Sequence, residues 1–356
     1  MGVLAGLALA SLAGWLGVAF GTARAWDLCP LAEDEPEPPE PSRWPSVSVL
    51  VPARNEARVL PETLPSLRAQ DYPGEWETVV VDDRSTDGTG ELATLAGTDL
   101  PPGWVGKVWA LEQARALAGS PDYFLLTDAD IRHGPRSLRR LVAETEAGGL
   151  ILNSRLARLH CETAVERLLI PPFVYFFNLL YPMRRVNRRP AAAGGCMLVR
   201  RDALERAGGF EAVRDCLIDD VSLARALAPN GRIRLAVSRA DVESVRGHDF
   251  RDIWRMVRRT AFTQLRGSWA LLALTIALLS LLFVVPPVLT VVAAVHADPL
   301  TLALAAAAWA LSTALYLPTV RYFRLSPAWA LTLPLAGCLY GGMTVDSALR
   351  RHTSNW

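Results

Sequence analysis

Four stretches, 1–20, 269–295, 300–320 and 328–345, run almost without charge, and each is about long enough for a helix to cross a bilayer. Inside lipid the backbone must satisfy its own polar groups, so each is expected to be a helix and the chain to sit in a membrane. The composition leans the same way, with 51% apolar and only 21% charged residues. Pro286-Pro287 inside the second stretch implies a kink or a hairpin break. The first basic residue, Arg24, follows the first stretch, which marks an uncleaved anchor and puts the next domain in the cytoplasm by the positive-inside rule. Arg321 and Arg324 fit a cytoplasmic loop, whereas Arg350 and Arg351 would fall on the outer side if all four stretches cross. The layout expected is an anchor over 1–22, a linker over 23–45, a catalytic domain over 46–266 and a membrane domain over 269–346, multi-pass in the inner (plasma) membrane.

Residues 27–45 mix prolines with carboxylates and hold almost nothing to bury, which predicts a stiff, solvated linker. From Val47 the pattern alternates strand with helix and argues an α/β domain with a mostly parallel sheet flanked by helices. Strands are expected at Val47–Val51, Val79–Val81 and Tyr123–Thr127, and helices over 57–70, 107–118, 135–147, 161–180, 201–207 and 219–227. The aromatic, apolar segment 168–181 contains Pro171-Pro172, and reads either as a core helix or as one lying in the membrane plane.

The strand Tyr123–Thr127 ends in Asp128-Ala129-Asp130. In open α/β sheets the carboxyl ends of strands face a ligand crevice, and two carboxylates there suit Mg²⁺ or Mn²⁺ completed by substrate phosphates. A solvated turn is the alternative for Asp-x-Asp alone. Of 37 basic residues Lys107 is the only lysine, a compact point charge in a chain that otherwise uses arginine. The five cysteines have no paired spacing, which indicates neither zinc nor a disulfide framework. A net charge of +1 without a basic, aromatic-rich cluster gives no sign of a nucleic-acid partner. His133, His160 and His248 lack metal-ligand spacing and read as surface or turn residues.

Four motifs in series, Val47–Glu56 (VSVLVPARNE), Val80–Thr89 (VVDDRSTDGT), Asp128–Asp130 (DAD) and Ile218–Leu223 (IDDVSL), together resemble family 2 glycosyltransferases of the GT-A fold over roughly 45–235. The membrane layout and the Gly194–Val199 segment are similar to the subgroup associated with hopanoid biosynthesis.

The resemblance implies a GT-A nucleotide-diphospho-sugar transferase domain with transmembrane helices at both ends. It implies that Pro52, Ala53, Arg54, Glu56 and Asp83 hold the nucleoside of a nucleotide-sugar donor, foremost a UDP-sugar, with Lys107 near its phosphates. Asp128 and Asp130 would hold a divalent cation on the diphosphate, with Asp128 also on the donor side. Asp220 matches the general base of a single inverting displacement. Asp219 stands where the family has Glu, and with Gly194 and Gly195 it would face the acceptor, a membrane lipid such as a hopanoid-type triterpenoid or a polyprenyl phosphate. Asp82 reads as structural and Asp87 as a turn or cap residue. Membrane members often carry Gln/Arg-x-x-Arg-Trp after the base, on a helix that closes over the donor; Arg255 and Arg258 keep its first and fourth positions and would bind the donor diphosphate, but Arg259 replaces the Trp. That departure points to a single transfer and away from a processive synthase. A basic helix facing anionic headgroups is the alternative for this segment. From another class, the same sequence features would suit a catalytically silent nucleotide-binding membrane scaffold.

Overall fold

A computed structural model describes residues 2–21, 24, 26–28 and 30–350. Expectations that touch Met1, Thr22, Ala23, Ala25, Cys29 and Arg351 lie outside the described residues. The chain divides into two compact units, one of residues 29–160 and 183–246, the other of 1–28, 161–182 and 247–356.

The first unit is built on strands β1 (Val47–Ala53), β2 (Trp76–Asp82), β3 (Leu95–Ala96), β4 (Tyr123–Thr127), β5 (Ile131–His133), β6 (Leu150–Leu156), β7 (Cys196–Arg200), β8 (Arg232–Val237) and β9 (Val242–Ser244). Seven form one sheet in the order β3-β2-β1-β4-β7-β6-β8, and β5 pairs antiparallel with β9. Only β7 runs against its sheet neighbours, so the sheet is mostly parallel. Every residue of β4 is buried, as a strand covered on both faces must be, which is why its sequence is a continuous apolar run. The chain leaves β1 for β2 and β3 on one side and returns to place β4 on the other. Strand order therefore reverses between β1 and β4, and a crevice opens at their carboxyl ends.

The helices, in chain order, are α1 (Val3–Phe20), α2 (Leu60–Arg68), α3 (Gly106–Leu117), α4 (Ser137–Gly148), α5 (Ala164–Leu180), α6 (Arg201–Arg206), α7 (Asp219–Leu227), α8 (Phe250–Gln264), α9 (Trp269–Leu279), α10 (Val285–Val295), α11 (Pro299–Tyr322) and α12 (Leu333–Leu349). α2 is shorter than its periodicity implies. Asn55 in the left-handed region (φ 57°) and a hydrogen-bonded loop occupy the residues before it.

The acidic stretch expected to be solvated is instead laid against the sheet unit. Leu31 bridges to Val237, and Glu33 Oε1 accepts from Ser238 Oγ and from the backbone N–H of Arg239, Ala240 and Asp241. Asp34, Glu35, Glu37 and Glu40 pair with Arg239, Arg234, Arg136 and Arg139. Its carboxylates find arginine partners, an outcome that composition alone does not encode.

Among the described residues of the second unit four helical stretches are long and apolar enough to cross a membrane, Val3–Phe20, Trp269–Val295, Pro299–Tyr322 and Pro327–Leu349. The Pro286-Pro287 pair makes no hairpin: Ser280–Val284 take a π-helical turn that absorbs the missing donors, and the helix continues. Ala8 packs with Leu289 and Ala305, while Trp15 Nε1 donates to the Leu282 carbonyl at 2.8 Å, so α1 runs antiparallel to α10. α12 runs antiparallel to α9: Gly337 abuts Phe283, Gly341 faces Ile276 and Leu279, and Ala348 packs with Leu272. A Cβ on Gly337 would meet Phe283 Cβ at 2.8 Å, so that approach requires glycine. α5 is a core helix of this unit, with Tyr175 against Tyr316, Phe176 against Phe283 and the Leu169 carbonyl accepting from Tyr340 Oη at 2.8 Å.

Candidate active site

A pocket of about 340 Å³, counting its open mouth, lies at the crevice end of the sheet unit and is lined by Pro52, Lys107, Asp128, Gly194, Asp219 and Asp220 among others. Pro52 comes from β1 and Lys107 from the first turn of α3. Asp128 follows β4, Gly194 precedes β7, and Asp219 and Asp220 open α7. Residues as distant in sequence as 52 and 220 thus meet because the sheet gathers its strand ends.

Lys107 is the hub. Its Nζ lies 2.7 Å from Asp128 Oδ1 and 3.3 Å from Asp219 Oδ2. Burial alone would depress its ammonium, but the charges of Asp128, Asp219 and Asp220 outweigh burial and hold it well above the usual lysine range. Burial also raises Asp128; Lys107 opposes this and the Asp130 charge adds to it. Asp220 is pushed up to about 7 by burial and by the Asp219 charge, against the pull of Lys107. Its Oδ2 accepts from Gly194 N at 3.0 Å and its Oδ1 from Val221 N at 2.7 Å, which fixes the carboxylate at the mouth of α7.

Asp130 lies in a second cluster. Its Oδ2 accepts from Ser244 Oγ at 2.9 Å and from Arg246 Nε at 3.2 Å, while the other arm of Arg246 pairs with Glu56. Burial raises Glu56, opposed by Arg246 and assisted by the charges of Asp130 and Asp128. Among the described residues no group of three or more His, Cys, Asp or Glu is arranged to hold a metal. Asp128 Oδ2 and Asp130 Oδ1 nevertheless take no hydrogen bond among the described residues. Two hard carboxylate oxygens with free lone pairs fit a Mg²⁺ or Mn²⁺ whose other positions go to phosphate and water.

Asp83, only 6% exposed, stands apart with Arg54 NH1 at 3.3 Å from its Oδ2. Gly106 passes so close that a Cβ there would sit 2.6 Å from Asp83 Oδ2. Ala53 is buried, and its carbonyl accepts from Asp83 N at 2.7 Å. Asp82 accepts from Ser85 N and Asp87 from Ala57 N and Thr89 Oγ1, so both hold the turn. Gly195 packs on Ile131, and its carbonyl accepts from Thr127 Oγ1.

Arg255 and Arg258 belong to the other unit, where Arg255 pairs with Asp252 and Arg258 with Asp346. His133 is 4% exposed, contrary to the surface or turn expectation; Thr127 Oγ1 and Ser137 Oγ hold its two ring nitrogens, and burial takes it down to about 4. Ser244 and Arg246 join the Asp130 cluster without any signal in the sequence. They carry no motif, and only the β5–β9 pairing brings them to Asp130.

Residues 48–208 match the family described as Glycosyl transferase family 2. An N-acetylglucosaminyltransferase from Mesorhizobium japonicum is 32% identical over 182 residues, 47% of this chain and 42% of that protein. An undecaprenyl-phosphate 4-deoxy-4-formamido-L-arabinose transferase from Salmonella paratyphi A is 27% identical over 165 residues, 43% of this chain and 47% of that one. The chain thus spans less than half the length of either relative. A mannosyltransferase from Pyrobaculum calidifontis, solved in complex with GDP-Man and Mn²⁺, superposes with a TM-score of 0.58 at 24% identity. The match covers 98% of this chain and 100% of that one, a likeness of fold. The sheet unit has the GT-A fold, and within it residues 48–208 are similar to the glycosyl transferase family 2 domain.

Proposed function

We propose that the chain is an inverting glycosyltransferase that moves a sugar from a nucleoside diphosphate donor to a hydroxyl of a membrane lipid. The observation that carries this reading is Asp220, a carboxylate with proton affinity raised to about 7, sharing one pocket with the Lys107–Asp128 pair. An ordinary carboxylate is too weak a base for a hydroxyl, whereas one tuned toward neutrality suits that task. In the reaction the acceptor oxygen bonds to the anomeric carbon, its proton passes to Asp220, and the bond to the diphosphate breaks with the nucleoside diphosphate leaving. Lys107 bears on the leaving phosphates, and Asp83 with the loop Pro52–Glu56 holds the nucleoside. A Mg²⁺ or Mn²⁺ held by Asp128 and Asp130 would supply positive charge to the departing diphosphate.

The acceptor we favour is a lipid with a neutral hydroxyl, such as a hopanoid-type triterpenoid, because only a hydroxyl needs a base. The Salmonella paratyphi A relative, an undecaprenyl-phosphate sugar transferase, supports a polyprenyl phosphate instead, whose phosphate oxygen attacks without one. The absence of Trp at position 259 supports a single transfer.

The helix contacts support three crossings and one re-entrant segment. Phe283, which Gly337 in the second turn of α12 abuts, lies midway along the helix Trp269–Val295, and α12 ends level with Leu272. On this reading Arg266, Arg321, Arg324 and Arg350 share one side, and the opposite turn carries only His296 and Asp298 as titratable groups. The positive-inside rule makes the arginine side cytoplasmic and removes the conflict that four full crossings create at Arg350.

Mass spectrometry of the lipids of a strain lacking this protein tests the reading. Loss of one glycosylated hydroxyl lipid is expected; loss of a polyprenyl-phosphate sugar would transfer the assignment to that acceptor.

A further inference from the structure

Arg246 joins two parts of the site that come from opposite ends of the domain sequence. One arm reaches Asp130 in the turn after β4, at 3.2 Å, and the other reaches Glu56 in the loop after β1. Its side chain keeps 35% of its exposure, while Glu56 and Asp130 keep 18% and 17%, so the guanidinium is the accessible member of the trio. Val245 N donates to the Asp130 carbonyl at 2.9 Å, which ties the backbone beside Arg246 to the same turn. Each carboxylate of the Asp128-Ala129-Asp130 turn therefore has a basic partner of its own, Lys107 for Asp128 and Arg246 for Asp130. The two partners differ in what they can do next. Lys107 has a second carboxylate, Asp219, and stays among acids, whereas Arg246 presents a planar fork that matches phosphate.

We propose that Arg246 is the resting counter-ion of the donor site, occupying Asp130 until a divalent cation displaces it and then engaging the donor's diphosphate. The inference rests on the donor reading above. A cation and a guanidinium compete for the charge of one carboxylate, so binding of one weakens the hold of the other. The diphosphate, arriving with the cation, offers the freed guanidinium a new anion. Exchange of this kind keeps the acidic site neutralised in both states and makes cation and donor bind together.

The experiment uses full-length protein in detergent and two probes, Mn²⁺ alone, followed by electron paramagnetic resonance, and UDP or GDP with saturating Mn²⁺, followed by calorimetry. In Arg246→Gln, Mn²⁺ alone is expected to bind at least about tenfold tighter than in wild type, and the nucleoside diphosphate at least about tenfold weaker. Arg246→Lys keeps the charge and loses the fork. It is expected to return Mn²⁺ affinity toward wild type while leaving the diphosphate weakened. A loss of both affinities in Arg246→Gln with both restored in Arg246→Lys makes Arg246 a structural brace and overturns the proposal. Unchanged affinities in Arg246→Gln overturn it too, with the donor reading intact. If wild type binds neither UDP nor GDP with Mn²⁺, the donor reading falls and the proposal with it.

Discussion

Lys107 Nζ lies 2.7 Å from Asp128 Oδ1, so the only lysine in the chain is paired with the first carboxylate of its Asp-x-Asp turn. The residue that composition singled out is the one on which three acidic residues converge.

That convergence makes Lys107 the first position to change. Lys107→Met leaves Asp128, Asp219 and Asp220 without their shared cation, and a hydrogen bond to a charged group is worth about 1.5–3 kcal/mol. Donor affinity measured by calorimetry should fall by about ten- to hundredfold. Lys107→Arg should not rescue it, because the larger fork cannot take the place of a point charge between the end of β4 and the start of α7.

The raised Asp220 gives a pH signature. A base works only when deprotonated, so kcat/KM should fall as pH drops through about 7, near tenfold per unit below it. Asp220→Asn should lower transfer by at least about 10²-fold and abolish that titration. The stability effect has the opposite sign. A carboxyl whose folded value is raised from 3.8 to about 7 favours the fold at low pH and costs stability as pH rises through that window. Asp220→Asn should therefore melt higher than wild type at pH 8, an outcome that thermal unfolding reads directly.

Gly106 passes close to a candidate nucleoside-binding carboxylate. Since its Cβ would meet Asp83 Oδ2 at 2.6 Å, Gly106→Ala should push that carboxylate aside. The KM for the nucleotide sugar should rise while kcat changes little, because the base and the reacting atoms are untouched.

The re-entrant reading of α12 is tested by labelling single cysteines, in a background without the native ones, using a membrane-impermeant maleimide. His296→Cys should react in intact spheroplasts, and Arg266→Cys and Arg350→Cys only after lysis. Labelling of Arg350→Cys from outside would restore four full crossings.

The parts of the fold visible in the sequence are those set by local chemistry. β4 is a continuous apolar run because both its faces are covered, and Asp128 and Asp130 stand at its end, where strand ends meet a crevice. What was hidden depends on contacts between distant residues. Arg246 reaches Asp130 across 116 positions through the β5–β9 pairing, and nothing in the Ser244-Val245-Arg246 segment announces it. His133 looks polar and dispensable in sequence, yet hydroxyls of Thr127 and Ser137 allow it to be buried. Hydropathy counts apolar residues but not depth, so it could not show that α12 meets its neighbour from Phe283 to Leu272. The acidic stretch before β1 looked solvated because its arginine partners lie far along the chain, Arg139 on α4, Arg234 on β8 and Arg239 in the bend after it.

The central claim, sugar transfer from a nucleotide donor with Asp220 as base, is tested most directly by pairing two readings on one variant. Asp220→Asn is titrated with UDP- and GDP-sugars in the presence of Mn²⁺, and the same preparation is assayed for label transfer from the sugar nucleotide to extracted membrane lipid. Donor binding within about threefold of wild type together with loss of transfer is the result expected when only the transition state needs the base. Wild-type transfer by Asp220→Asn, or a wild-type protein that binds no sugar nucleotide, would contradict the account.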